Sequence, residues 1–207
     1  LISTADGDAL AMLRAAFSHC PALESEVAID RLREIIEQHP DWGEAHAELA
    51  LRLISDSEGL SNALDHAEKA GELLPGNPWM HLAHSMVLYR SQLYNEAVDA
   101  AEAALKLDPT NATYATTLAL SLGAVDEEAA ARRVLREAVR RRPGDVEPYY
   151  HLALMLLREG EGGEAERLMR QATEIEPRHM WTRVGLGKIL EERGKSDEAL
   201  AQYEKAA

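Results

Sequence analysis

The sequence predicts an all-α solenoid built from about six helix-turn-helix repeats. The first indication is a fixed period, because the frame set by Ala97, Ala101, Ala104 and Pro109 returns twice at intervals of 34 residues. The second is composition, since aromatic residues make up only 5% of the chain while alanine recurs at fixed places. Such a period is typical of a solenoid, in which each repeat contacts only its neighbours. The returning residues are Ala131, Leu135, Ala138 and Pro143, then Ala165, Met169, Ala172 and Pro177.

The repeats are predicted to form a single solenoid over residues 1–207. In the first repeat, Asp6 or Asp8 can cap a helix that runs through ALAMLRAAFSH. A second helix over about 22–38 starts after Pro21, since proline is favoured at the beginning of a helix. The predicted repeats span about 6–40, 41–75, 76–109, 110–143, 144–177 and 178–207, the last of them incomplete.

Cap and turn residues mark the later repeats. The second repeat has predicted helices near 42–54 and 60–74, and the third begins with Asn77, a cap residue, followed by Pro78. Glycine-containing segments then predict the turns inside the last three repeats. These segments are 123–126, 160–163 and 194–196.

Two positions of the repeat carry small residues throughout. Small side chains at these places allow the two helices of a repeat to approach closely, and leucines beside them fill the space between repeats. The position in the second helices is Ala28, Ala63, Ala97, Ala131, Ala165 and Ala199. The position in the first helices is Ala16, Ala50, Ser85, Ala119, Ala153 and Gly187.

These small residues and the closing prolines resemble those of tetratricopeptide-repeat (TPR) proteins. The match is clearest at 149–153 (YYHLA) and 184–187 (VGLG), whereas His84 and Ile35 depart from the usual leucine and alanine. The resemblance implies a right-handed α-α superhelix of about six TPR-like units. Pentatricopeptide arrays have a similar period but bind RNA, which an acidic chain disfavours, and HEAT and armadillo repeats are longer.

The charge of the chain bears on its partners. It carries 22 Lys and Arg against 36 Asp and Glu, a net charge of −14. The excess is uneven, because residues 1–111 hold 7 basic and 19 acidic side chains whereas residues 112–207 hold 15 and 17. An acidic surface repels phosphate backbones, so we expect no nucleic-acid partner.

The sequence constrains the cellular compartment of the protein only weakly. Cys20 is the one cysteine and can form no disulfide within the chain, so an oxidising compartment is not indicated. No apolar run has membrane-spanning length and no signal-peptide core is present, so we expect no membrane insertion. These features favour the cytoplasm, and a leader before Leu1 would leave the periplasm open.

No catalytic constellation is evident, and we expect neither an enzyme nor a bound cofactor or metal. The run from Gly185 to Lys188 lacks the spacing and the Ser/Thr of a phosphate loop, and its glycines fall at a packing position. His81 and His84 have helical spacing, with His46 at the place equivalent to His81. Packing and hydrogen bonding are favoured over a metal site there, since no third ligand is near.

The second helix of the fourth repeat is the only basic ridge of the sequence. Arginines near a helix C-terminus complement the helix dipole, so a solvated outer face is the favoured interpretation. The alternative is a secondary docking patch for an acidic partner or a second copy. The patch residues are Arg132, Arg133, Arg136 and Arg140.

The first helices carry more apolar residues than packing within a repeat requires. A helix that is apolar on every side should be covered on every side. In TPR proteins this additional face lines the concave ligand groove, which implies an apolar, partner-binding groove here; burial by curvature or by a missing helix is the alternative. The predicted groove residues are Leu13, Phe17, Leu51, Ile54, Leu82, Met86, Tyr89, Thr116, Leu120, Tyr150, Leu154 and Leu157.

These features predict a non-enzymatic scaffold whose groove holds an amphipathic helix or an apolar extended segment of a partner protein. Some TPR proteins hold acidic chaperone tails with a polar clamp, but apolar residues stand at the matching places, among them Leu51, Leu82 and Met86. Two alternatives remain open. The chain could be the recognition arm of a larger enzyme, such as a glycosyl- or sulfotransferase, or a self-assembling scaffold that forms homo-oligomers.

Overall fold

A computed structural model describes residues 23–54 and 59–206, which form eleven helices and no strand. The predicted first helix of the first repeat, with Leu13 and Phe17, lies outside these residues. The helices are α1 (Leu23–Gln38), α2 (Gly43–Leu53), α3 (Leu60–Leu73), α4 (Pro78–Arg90), α5 (Tyr94–Leu107), α6 (Ala112–Ala124), α7 (Glu128–Arg141), α8 (Val146–Arg158), α9 (Gly162–Ile175), α10 (Met180–Glu192) and α11 (Ser196–Ala206).

The chain divides into two compact halves, Leu1–Leu107 and Asp108–Ala207. In the N-terminal half, α2 packs on α3 and α4 on α5, while α3 also contacts α4 of the following repeat. In the C-terminal half, the same arrangement pairs α6 with α7, α8 with α9 and α10 with α11. Each half is therefore a stack of helical pairs in which every pair contacts the next, as a solenoid requires.

The predicted small residues of the second helices are buried. The second-helix alanines Ala28, Ala63, Ala97, Ala131 and Ala165 have no exposed surface, and Ala199 is 2% exposed. In the third repeat a polar contact joins the two helices, because the buried hydroxyl of Ser85 donates to the backbone carbonyl of Ala97 at 2.8 Å. The small size of these side chains allows the helices that contact them to approach closely.

The turn inside each of the last four repeats uses one residue in the left-handed backbone region. Its φ is 62° at Gln92, 61° at Asp126, 83° at Gly160 and 73° at Gly194, positions that recur every 34 residues. The following residue donates its N–H to a carbonyl near the end of the first helix, as in the Schellman motif. These bonds join Leu93 to Leu88, Glu127 to Leu122, Glu161 to Leu156 and Lys195 to Leu190 at 2.8–2.9 Å.

A second repeated contact ties each closing proline to the next first helix. His46 Nε2 lies 2.9 Å from the carbonyl oxygen of Pro40, and His81 Nε2 lies 2.9 Å from that of Pro75. Tyr149 and Arg183 donate to the carbonyls of Pro143 and Pro177 in the same way. The fourth repeat has Ala115 at this position, and there Arg141 of α7 donates to Pro109 at 2.7 Å instead.

Candidate functional site

The predicted groove residues of the N-terminal half differ widely in exposure. Met86 is 37% exposed and Tyr89 is 36% exposed, and the ring of Tyr89 meets that of Tyr94 edge-on at 5.3 Å. Leu51 and Ile54 are half-buried and pack against core clusters. Leu82 is only 6% exposed, so its side chain belongs to the packing and offers little surface to a ligand.

The predicted groove residues of the C-terminal half include one exposed leucine. Leu120 is 43% exposed, and Tyr150, Leu154 and Leu157 are half-buried. Thr116 is 5% exposed, and its hydroxyl has no hydrogen-bond partner among the described residues. The side chain of Thr116 is therefore covered, like that of Leu82, and the accessible surface is smaller than the sequence pattern predicts.

The most exposed aromatic residue of this half is not among the predicted groove residues. Trp181, in the first turn of α10, is 57% exposed, and Met180 beside it is 46% exposed. Trp181 lies one helical turn before Val184, which occupies the repeat position of Tyr150. A large aromatic residue at the start of a first helix was the available signal, because exposed tryptophans are frequent anchors at interfaces.

The arginine ridge is largely paired within the chain. Arg132 pairs with Glu159, Arg136 lies 3.5 Å from Glu164, and Arg140 donates to Glu137. Hydrogen bonds from Arg140 and Arg141 lower the pKa of Glu137 to about 2. Arg133 is exposed and forms no ion pair with any described residue. The ridge therefore keeps less free positive charge than its arginine count indicates.

The histidines weighed as metal ligands have structural contacts. His46 and His81 bond to proline carbonyls, and His46 Nδ1 lies 2.8 Å from His66 Nδ1. Burial lowers the pKa of His84, and its Nε2 has no hydrogen-bond partner in the described part of the chain. No group of three or more His, Cys, Asp or Glu side chains within the described ranges is placed to hold a metal ion.

Among residues 23–54 and 59–206, we find no helix whose length and hydropathy would allow it to span a bilayer. This result concerns only the described segments.

Comparison with known proteins identifies tetratricopeptide repeats in two parts of the chain. Family models described as tetratricopeptide repeat match residues 10–41 and residues 146–179. Anaphase-promoting complex subunit 3 of Schizosaccharomyces pombe is 29% identical over 166 residues, which cover 74% of this chain and 24% of that protein. The chain thus spans about a quarter of the length of this curated relative.

Solved structures show the same fold. TTC0263, a thermophilic TPR protein of Thermus thermophilus, superposes with a TM-score of 0.67 at 23% identity, covering 79% of this chain and 89% of that one. YrrB, whose structure is titled a TPR protein with an unusual peptide-binding site, gives a TM-score of 0.54 at 24% identity, with 84% and 90% covered. At these identities the likeness establishes the architecture alone.

Proposed function

From the premise that this chain is a tetratricopeptide-repeat protein, we propose that it is a non-enzymatic scaffold that binds segments of partner proteins on the apolar face of its first helices. The observation that carries the proposal is the exposure of apolar side chains on the first helices of each half, Met86 and Tyr89 in the N-terminal half and Leu120 in the C-terminal half. Apolar residues that a repeat does not need for its own packing stay exposed at a cost, unless a ligand covers them.

The chemistry of this face favours an apolar ligand. Methionine adapts its shape to different surfaces, and tyrosine offers a large contact area with a polar tip. An amphipathic helix or an apolar extended segment matches such a surface. Peptide binding by YrrB and the membership of the yeast relative in a complex, both stated in their names, accord with a scaffold that works through protein contacts.

The test compares two double variants in capture of partners from a lysate. Met86→Glu/Leu120→Glu places one charge on the proposed face of each half, at side chains that are already exposed and therefore tolerate the change. Val27→Glu/Leu200→Glu is the matched control, because both residues are exposed apolar side chains of second helices, at 67% and 58%. Partners retained by the control and lost by the groove variant support the proposal, whereas equal retention by both argues against it.

A further inference from the structure

The outer faces of the second helices change sign between repeats two and three and repeats four and five. Two outward positions per helix, three residues apart, recur every 34 residues in the second helices of repeats two to five, whereas the equivalent positions hold Asp30 and Arg33 in α1 and Ala201 and Glu204 in α11. In the N-terminal half they are the acidic face, Asp65 and Glu68 of α3 with Asp99 and Glu102 of α5. In the C-terminal half they are the basic face, Arg133 and Arg136 of α7 with Arg167 and Arg170 of α9. Equivalent places of one repeat pattern thus carry opposite charges.

The negative charge of the acidic face is not neutralised by salt bridges with described residues. Asp65, Glu68, Asp99 and Glu102 are all exposed, and none forms a salt bridge with a described residue. Like charges held together on neighbouring repeats repel each other, so a cationic partner surface would stabilise this face. Nothing in the packing of α3 or α5 requires acidic residues at these positions, because the buried residues of the two helices are alanines.

The basic face also keeps unpaired charge. Arg133 has no ion pair with a described residue, and Arg136 and Arg167 share one carboxylate, Glu164, at 3.5 and 3.7 Å. Their side chains are 52% and 60% exposed, and a shallow groove of about 480 Å³ runs beside Arg133 and Arg136. Only Arg170 is fully engaged, with Glu166 and Glu198.

We propose that the acidic face of one copy binds the basic face of a second copy. The contact is heterologous, because each copy uses a different surface, so every bound pair leaves one face of each kind available for a further copy. Exposed ion pairs are individually weak, so the association depends on several pairs together and on low ionic strength. It uses second helices and is independent of the proposed ligand face on the first helices.

Sedimentation velocity of the intact chain tests the proposal across a salt series. We expect wild type to associate at about 0.05 M salt and to be monomeric at about 0.5 M, where charges more than roughly 4 Å apart are screened. A wild type that is monomeric at the lower salt overturns the proposal, whatever the variants do.

Complementary charge reversals identify the faces. Arg133→Glu/Arg136→Glu leaves two glutamates beside Arg167 and Arg170, so the basic face loses its net charge while the acidic face stays intact. Asp99→Arg/Glu102→Arg, at the equivalent positions, cancels the charge of Asp65 and Glu68 in the same way and leaves the basic face intact. Each should be monomeric alone at low salt, and an equimolar mixture should associate again. Association of either variant alone at the wild-type level, or a mixture of helical variants that stays monomeric, contradicts the assignment.

Arg158→Glu/Arg178→Glu is the control for net charge. Both arginines are exposed in the same half and form no salt bridge with a described residue, and the change in charge equals that of the basic-face variant. This control should associate as wild type does. Loss of association in the control to the same degree would show that net charge, and not the basic face, drives the effect, and would overturn the proposal.

Discussion

The ring of Tyr203 occupies the place where a side chain on Gly187 would stand. A Cβ atom built on Gly187 would lie 2.8 Å from both Cδ1 and Cζ of Tyr203, and closer still to Cε1. In the two preceding repeats the same pair of positions holds Ala153 with Met169 and Ala119 with Leu135. Glycine in α10 therefore compensates for a larger residue in α11.

This relationship predicts a change of sign in a double-mutant cycle. Gly187→Ala alone should destabilise the fold by about 1 kcal/mol, because overpacking exceeds the gain in helix propensity. In the presence of Tyr203→Leu the same substitution should stabilise it by up to about 1 kcal/mol. Urea unfolding of the four proteins measures both effects. A Gly187→Ala effect that does not depend on residue 203 would contradict the packing relationship.

A second prediction concerns the left-handed turn residues. Gly160 and Gly194 adopt positive φ without strain, whereas Gln92 pays a conformational cost at the same place. We expect Gln92→Gly to stabilise the protein by about 0.5–1 kcal/mol and Gly160→Ala to destabilise it by about 1 kcal/mol. Thermal unfolding of the two variants provides the measurement. If Gln92→Gly lowers the melting temperature, the turn geometry described for the third repeat is wrong.

A third prediction follows from His84, which stands where other repeats have the buried leucines Leu49, Leu118, Leu152 and Leu186. Burial lowers its pKa, the charge of His81 acts in the same direction, and Glu68 acts against both. The folded chain therefore binds fewer protons than the unfolded chain, and stability is lost as pH falls below the unfolded histidine pKa of about 6.5.

His84→Leu should raise the free energy of unfolding at neutral pH by about 1 kcal/mol, since it removes a buried nitrogen without a partner. It should also reduce the loss of stability on acidification. Some loss should remain, because burial also lowers the pKa values of His66 and His151. Denaturant unfolding at several pH values compares the two proteins. An unchanged pH dependence would exclude His84 as a contributor.

A fourth prediction concerns the ion pairs that join successive repeats. Arg132 pairs with Glu159, and one repeat later Glu166 pairs with Arg193, at equivalent positions with the charges reversed. Burial alone would raise the pKa of Glu166, but hydrogen bonds from Lys195 and Arg170 and the charge of Arg193 outweigh it and lower the pKa to about 2. Its contribution to stability is present above about pH 4.3 and is lost as the pH falls towards 2.

Glu166→Gln should destabilise the fold by about 1–3 kcal/mol at neutral pH, because it leaves three cations without their shared anion. Glu164→Gln on the same helix is the control, since its pairs are longer and more exposed and should cost less than about 1 kcal/mol. Equal effects of the two substitutions would show that the buried carboxylate has no special role.

The repeat frame could be predicted from the sequence because it depends on side-chain size and on prolines. Ala97 and Ala131 are fully buried in the structure, as their spacing indicates. The exposure of the apolar face could not be predicted residue by residue. Leu82 and Met86 belong to the same apolar stripe of the sequence, yet Leu82 is buried and Met86 is exposed. This difference depends on how neighbouring side chains pack, which the sequence period does not predict.

The ion pairs and hydrogen bonds of individual side chains could not be predicted from the sequence pattern either. The arginines of α7 form a ridge in the sequence, but their neutralisation depends on Glu159 and Glu164, which come from the following repeat. Likewise, a period of 34 residues does not reveal that Arg141 replaces the missing donor at Ala115. Such contacts require three-dimensional distances.

Site-specific photo-crosslinking identifies the surface on which partner proteins bind. A benzophenone amino acid is placed at Met86 or Leu120 on the proposed face, and at Val27 or Leu200 as equally accessible controls. We expect partner proteins to crosslink at Met86 and Leu120 and not at the two control positions. Crosslinking confined to Val27 and Leu200 would contradict this expectation, because partners would then bind the second helices.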